Sequence, residues 1–233
     1  MSRPTISVII PVHNREQYVT EAIKSILAQT CPATEIWAID DGSTDKSADV
    51  IQRFGDRVHY HYQSNSGAAT ARNTGVELSQ GDLLAFLDSD DLWVPEKLAL
   101  QLAELEKNPD LAMVFGHVRQ FCSPDWPTDQ RPRITAEVMA GYHVGTLLVR
   151  RDAFHQVGPF ETQWRVGEFV SWQAKATDMG LPMAMLPEVV TERRLHATNM
   201  GRTERTHSQD YLRIVRAALE RRRSQAPISE PQP

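Results

Sequence analysis

The chain has 233 residues, 41% hydrophobic and 24% charged, a balance that allows one substantial core with a small appendage. A formal charge of -5 argues against a nucleic-acid binder, which needs a basic face to neutralise phosphates. Cys31 and Cys122 are far apart and lack a metal-ligand spacing, so they read as reduced thiols of a cytoplasmic protein rather than as a disulfide. Met1 to Thr5 leads straight into a strand pattern without signal-peptide architecture. No stretch approaches the ~20 apolar residues of a membrane span.

Ile6-Ser7-Val8-Ile9-Ile10-Pro11 is β-branched and predicts a first strand, which Pro11 should end because proline donates nothing to a ladder. Asn14 can cap a following helix. In that helix Tyr18, Val19, Ala22, Ile23, Ile26 and Leu27 recur at helical spacing. Ile36 to Ile39 is a second strand, ending in Asp40-Asp41-Gly42-Ser43, and Thr44 starts a helix to about Phe54. Val58 to Tyr62 is a shorter strand. Asn65-Ser66-Gly67 precedes a helix running through Arg72 to Leu78. Leu83 to Leu87 is apolar throughout, as a strand buried on both faces requires, and runs into Asp88-Ser89-Asp90-Asp91.

After Pro95, Leu98, Leu102 and Leu105 mark a helix to Pro109, and Leu111 to Phe115 a strand. Ser123 to Arg133, with three prolines, predicts an irregular loop, either a lid or a passive connection. Gly145 to Val149 is a strand, followed by a short helix ending near Gly158-Pro159. Glu168 to Met179 is helical, and Val189 begins a last extended segment into Arg193-Arg194-Leu195-His196. Thr206 to Arg223 suits a terminal helix. Ser224 to Pro233 reads as a disordered tail.

Strands alternating with helices imply an α/β fold with parallel strands and right-handed crossovers. His13-Asn14, Asp40-Asp41 and Asp88 to Asp91 then gather at one sheet edge, where open α/β sheets bind ligands. Three clustered carboxylates need a counter-charge. A divalent cation bridging them to a phosphorylated ligand would supply it. The plainer reading is that they cap the helix before Pro95.

Four motifs now stand in order: Ser7 to Asn14, Ile39 to Asp45, Gly67 to Gly75 and Phe86 to Asp91. They resemble family-2 glycosyltransferases, which have the Rossmann-like glycosyltransferase-A fold. Val149 to Phe154, Val157 to Glu161 and Arg194 to His196 match more loosely. The resemblance implies a single domain over 1–223. Residues 1–115 would hold a nucleotide sugar, 116–200 would serve acceptor and catalysis, and 201–223 would form the terminal helix. It implies transfer of a sugar from a nucleotide-diphosphate donor, usually with inversion, to a saccharide, lipid-linked or peptide acceptor.

By the same resemblance Pro11, Val12, His13 and Asp41 contact the nucleotide, and Arg72 lies near the ribose or diphosphate. The acidic motif falls on Asp88-Ser89-Asp90. Asp88 is closer to the ribose and Asp90 to the metal, with Asp91 able to take either place. His196 is implied as a further metal or diphosphate ligand, and Arg193 and Arg194 as diphosphate contacts. Oxygen ligands favour Mg2+ or Mn2+. Structural alternatives stand beside each role: an Asx-type turn for Asp40-Asp41, a surface arginine for Arg72, a packed histidine for His196.

Many relatives carry Glu-Asp at the start of the later helix, the Asp acting as base. This chain has Gly167-Glu168-Phe169. Glu168 is the preferred base, with Asp152, Glu161 and Asp178 in reserve, although it could simply cap its helix. Of Trp126, Trp164 and Trp172, one could line the acceptor cleft, while Trp172 fits a core position beside Phe169 and Ala176. Arg213, Arg216, Arg221, Arg222 and Arg223 complement the carboxyl end of the terminal helix, or make at most a peripheral membrane contact. Two other functions stay open: a non-catalytic nucleotide-sugar-binding protein, and a nucleotidyltransferase, which the glycine-free Pro11 to Arg15 disfavours.

Overall fold

The computed structural model describes residues 3–126, 131, 134, 138–199 and 209–225. In chain order the first half gives β1 (Ile6–Val12), α1 (Val19–Leu27), β2 (Glu35–Asp41), α2 (Ser47–Gln52), β3 (His59–Gln63), α3 (Ala68–Leu78) and β4 (Leu83–Phe86). The second half gives β5 (Leu92–Trp93), α4 (Lys97–Lys107), β6 (Met113–Cys122), β7 (Val138–Gly141), β8 (Leu148–Arg150), α5 (Arg151–Val157), α6 (Glu168–Asp178), β9 (Met183–Leu195) and α7 (Gln209–Gln225).

Among the described residues these strands form one sheet in the order β3-β2-β1-β4-β8-β6-β9-β5, with β7 paired to β6. β3, β2, β1 and β4 run parallel, as the strand–helix alternation requires, and β6 runs parallel to β9. β8 joins the two parts antiparallel. The period-2 alternation of the central strands divides the core between two faces. Val8, Ile10, Ala85 and Leu87 pack with α1 and α4, while Ile9, Leu84 and Phe86 pack with α3, α5 and α6. The contact with α3 is so close that a Cβ on Gly75 would lie 2.4 Å from the Ile9 side chain. α3 therefore sits flush on the sheet, which fixes the direction of Arg72.

Several expectations are corrected here. β1 continues past Pro11 to Val12, and Pro11 still pairs with Ile39 of β2. The Leu87 amide donates to the Ile9 carbonyl, so alternate residues of β1 bond toward β4. The missing N–H of Pro11 falls on that side, beyond the end of β4, where it costs no ladder bond. Asn14 does not cap α1. It takes a positive φ of 52° and its Oδ1 accepts the Thr44 and Asp45 amides, tying the β1 loop to the β2 loop. The helix expected from Thr44 begins at Ser47. Ser224 and Gln225, expected in a disordered tail, end α7, and 226–233 lie outside the described residues. Most of the expected 123–133 loop also lies outside them.

Candidate active site

The carboxyl ends of β1, β2 and β4 open into one cleft of about 650 Å³. Pro11, Val12, His13, Asp41, Arg72, Asp88, Ser89, Asp90 and Glu168 all line it, so the structure brings together nine of the eleven expected site residues. The strand register explains why: Ile9 pairs with Phe86 and Val12 with Asp40, which sets His13, Asp41 and Asp88 at one edge.

Arg72 is the centre of the arrangement. It is 4% exposed, and its guanidinium bonds Asp88 at 2.6 Å and Glu168 at 2.5 Å. Among the described residues its Nε has no hydrogen-bond partner. A buried donor left unpaired is costly, so a ligand oxygen there would be favoured. Burial alone would raise the pKa of Asp88. The Arg72 charge, with His143 and Arg193, outweighs it and holds that carboxyl below its usual value.

The remaining acids differ in surroundings. Asp91 is 3% exposed and accepts the Arg194 amide at 2.8 Å. Burial first, then the charges of Asp90 and Asp88, push its pKa well above the ordinary carboxylate range. Asp90 is held by Arg15 at 3.1 Å and by His196 at 2.9 Å. Ligand atoms of Asp88, Asp91 and His143 lie within 4.8 Å of one another. The two carboxylates of this set offer the oxygen ligands that a hard divalent cation takes, and its charge would relieve the repulsion acting on Asp91.

His143, which the sequence reading missed, lies at the far wall. Its Nδ1 accepts the Gly145 amide at 3.1 Å, so the ring proton sits on Nε2, 3.7 Å from Asp88. In this tautomer His143 is a donor into the cleft rather than a metal ligand. Burial lowers its pKa, against the opposing pull of Asp88. The sequence signal was available: a Tyr142-His143 pair directly before a buried apolar run.

Asp41 and His13 shape the side of the cleft next to β2 and α3. Asp41 accepts from Gln63 and the Ser66 and Gly67 amides, each at 2.8 Å, and so fixes the turn into α3. His13 donates from Nδ1 to the Asp41 carbonyl at 2.8 Å. Asp40 lies behind, bonded to the Ser43 amide and the Tyr60 hydroxyl. Both aspartates thus hold turns, Asp40 the one after β2 and Asp41, which also lines the cleft, the one into α3.

Two expected residues are placed elsewhere. Arg194 does not reach the cleft. It bonds Glu21 and the Asp90 carbonyl and lies between the Tyr18 and Phe121 rings, while Arg193 lines the cleft instead. Alternation along β9 sends neighbouring arginines to opposite sides. His196 is 1% exposed, set between Asp90 and Thr198 beneath the acidic edge rather than in its lining. Of the reserve bases, Glu161 is held by Ser171, Trp164 and Lys175, and Asp178 by Arg222 of α7. Asp152, in the first turn of α5, accepts the Ala153 amide at 2.7 Å. Trp164 lines the cleft, whereas Trp172 is core, stacked on Phe154.

The family model described as Glycosyl transferase family 2 matches residues 7–165. An uncharacterized glycosyltransferase of Rickettsia conorii is 46% identical over 114 residues, covering 48% of this chain and 18% of that protein. The putative teichuronic acid biosynthesis glycosyltransferase TuaG of Bacillus subtilis is 43% identical over 104 residues, 43% of this chain and 41% of the relative. The chain thus spans less than half the length of these two relatives. The crystal structure of S. aureus TarS 1-349 in complex with UDP-GlcNAc is similar with a TM-score of 0.71 at 19% identity, over 92% of this chain and 65% of that one. At that identity the likeness is one of fold.

Proposed function

Because the chain belongs to glycosyl transferase family 2, we propose that it moves a sugar from a nucleotide-diphosphate sugar to an acceptor hydroxyl, with inversion. The observation that carries this reading is Arg72, which links Asp88 of the acidic edge to Glu168 of the opposite wall within one cleft. The acceptor oxygen bonds to the anomeric carbon as the bond from that carbon to the diphosphate oxygen breaks. The bonding pair leaves with the diphosphate, and the acceptor proton passes to Glu168. Arg72 and Arg193 face the developing negative charge. Asp88, Asp90 and Asp91, with His196 behind Asp90, are the residues that would hold magnesium or manganese, whose chemistry there is to neutralise the diphosphate.

TarS was solved with UDP and with UDP-GlcNAc, which makes uridine diphosphate sugars the first donors to try. The test is a thermal-shift panel of nucleotide sugars with and without manganese, followed by transfer assays on Glu168→Gln. A bound donor raises the melting temperature by mass action. Loss of turnover by ~10²-fold or more with donor affinity kept supports Glu168 as base. Turnover at the parent rate removes it from that role, and a panel with no stabilising donor removes the whole reading.

One observation favours a second reading, a nucleotide-sugar-binding protein without turnover. Phe169 buries its ring against Phe115 and Trp172, and Glu168 is already paired with Arg72. Donor binding without transfer or donor hydrolysis by the parent chain would decide for it.

A further inference from the structure

We propose that the outward face of α7 is a membrane-docking surface, which seats the chain on an anionic lipid bilayer beside the mouth of the cleft. Among the described residues α7 packs by one side. Ile214 is 2% exposed and Asp210 5%, and a Cβ on Gly167 would meet Ile214 at 2.9 Å. Arg221 and Arg222 reach Asp178 of α6. On the opposite side Leu212 is 73% exposed, Val215 55% and Leu219 48%. Their spacing of three and four residues puts them within roughly 60° of arc on a helix, a continuous apolar stripe. Single exposed leucines are ordinary in soluble proteins, whereas a stripe along a helix is not.

Charge selects the occupant. Arg216 and Arg223 border the stripe on one side and are exposed, while Arg222 on the other is paired with Asp178. Residues 209–225 hold five arginines against Asp210 and Glu220, in a chain whose formal charge is -5. A second copy docked stripe to stripe would bring these arginines against their own kind. An anionic bilayer accepts them: the stems lie along the apolar side chains and the guanidinium groups meet lipid phosphates. The net negative remainder is repelled, which sets the orientation. The proposed contact is superficial, the apolar stripe being one face of a helix whose other face is packed on the protein. Among the described residues no helix is long and apolar enough to cross a membrane.

The surface also continues to the cleft. The exposed Tyr142, Val170 and Tyr211 line it, and Leu212 follows Tyr211 along α7. Docking therefore presents the cleft mouth to the bilayer, where an acceptor carried on a lipid would lie. That last step rests on the transferase reading, and the docking surface itself does not.

The test is co-sedimentation of the full chain with vesicles of phosphatidylcholine alone or mixed with phosphatidylglycerol. The chain should sediment with the mixed vesicles, less with the neutral ones, and less at high salt. The Leu212→Glu, Val215→Glu double variant should lower the partition at least about tenfold, with melting temperature and nucleotide-sugar binding unchanged. A parent chain that stays in the supernatant overturns the proposal, as does a double variant that sediments like the parent. So does a dimer in sedimentation velocity that the same substitutions dissolve. Vesicle binding without any nucleotide-sugar binding would leave the docking surface standing and remove the transferase reading.

Discussion

Lys97 lies at the start of α4 and is fully buried, at 0% exposure. Its Nζ donates to Gln101 at 2.6 Å and to the Leu147 carbonyl at 3.3 Å, and sits 4.3 Å from the centre of the Trp93 ring. Burial drives its pKa well below the ordinary 10.5. In the unfolded chain the same amine stays protonated to about 10.4. Between the lowered folded pKa and that value, the unfolded state binds one more proton than the native state. Stability should therefore rise with pH by about 1.4 kcal/mol per unit in that window, and not change on this account below the folded pKa. Lys97→Met keeps the length and loses the slope. Over about two pH units inside the window the parent gains roughly 3 kcal/mol on the variant. At a urea dependence of about 2 kcal/mol per M, the midpoints diverge by roughly 1.5 M. Urea titrations of both proteins at stepped pH values measure this directly. Parallel midpoint curves would refute the reasoning. Gln101 keeps its bonds to the Val114 and Thr146 carbonyls, so the segment that carries His143 stays in place and donor affinity should hold.

Two further outcomes follow from the same structure. Arg72→Met leaves Asp88 and Glu168 facing each other without their shared cation. It should cost roughly 3 kcal/mol, the low end for a broken buried pair because the Asp88 side chain keeps 27% of its surface. Equal urea midpoints for parent and variant would contradict this. Hydrogen bonds from Lys175, Ser171 and Trp164 overcome the effect of burial on Glu161 and lower its pKa to about 2. A depressed carboxyl stabilises fully above its unfolded value near 4.5 and loses that contribution as pH falls toward about 2. Melting curves at falling pH should show the parent losing at most about 3 kcal/mol relative to Glu161→Gln, less for the 24% of that side chain left in solvent. Equal losses in both proteins would count against the assignment.

The first half of the fold was legible because local pattern and tertiary role coincide there. The apolar runs of β1 and β4 are buried on both faces, and their polar ends are the site. Legibility fails where short or bent strands depend on partners. β5 has two residues and exists by pairing with β9. β7 carries the exposed Val138 and Met139 and forms only against β6. β9 starts at Met183, not Val189, because a bulge between Phe115 and His117 of β6 accommodates Leu186-Pro187-Glu188. In the site, residue types were readable but directions were not. Neighbouring arginines at 193 and 194 point to opposite sides, and only the paired strand decides which faces the cleft. His143 comes from the far half of the chain, and no local spacing connects it with Asp88.

A single guanidinium on α3 grips one carboxylate from each half of the protein. For chimera building this means the halves are not interchangeable modules. A graft of residues 116–200 from a relative, made to alter acceptor choice, would have to bring an acid at position 168 to match. Without it, Arg72 keeps Asp88 alone, and the imported wall is left with its other ties to the first half, among them the hydrogen bonds between Asn73 and Phe160 and the β4–β8 pairing.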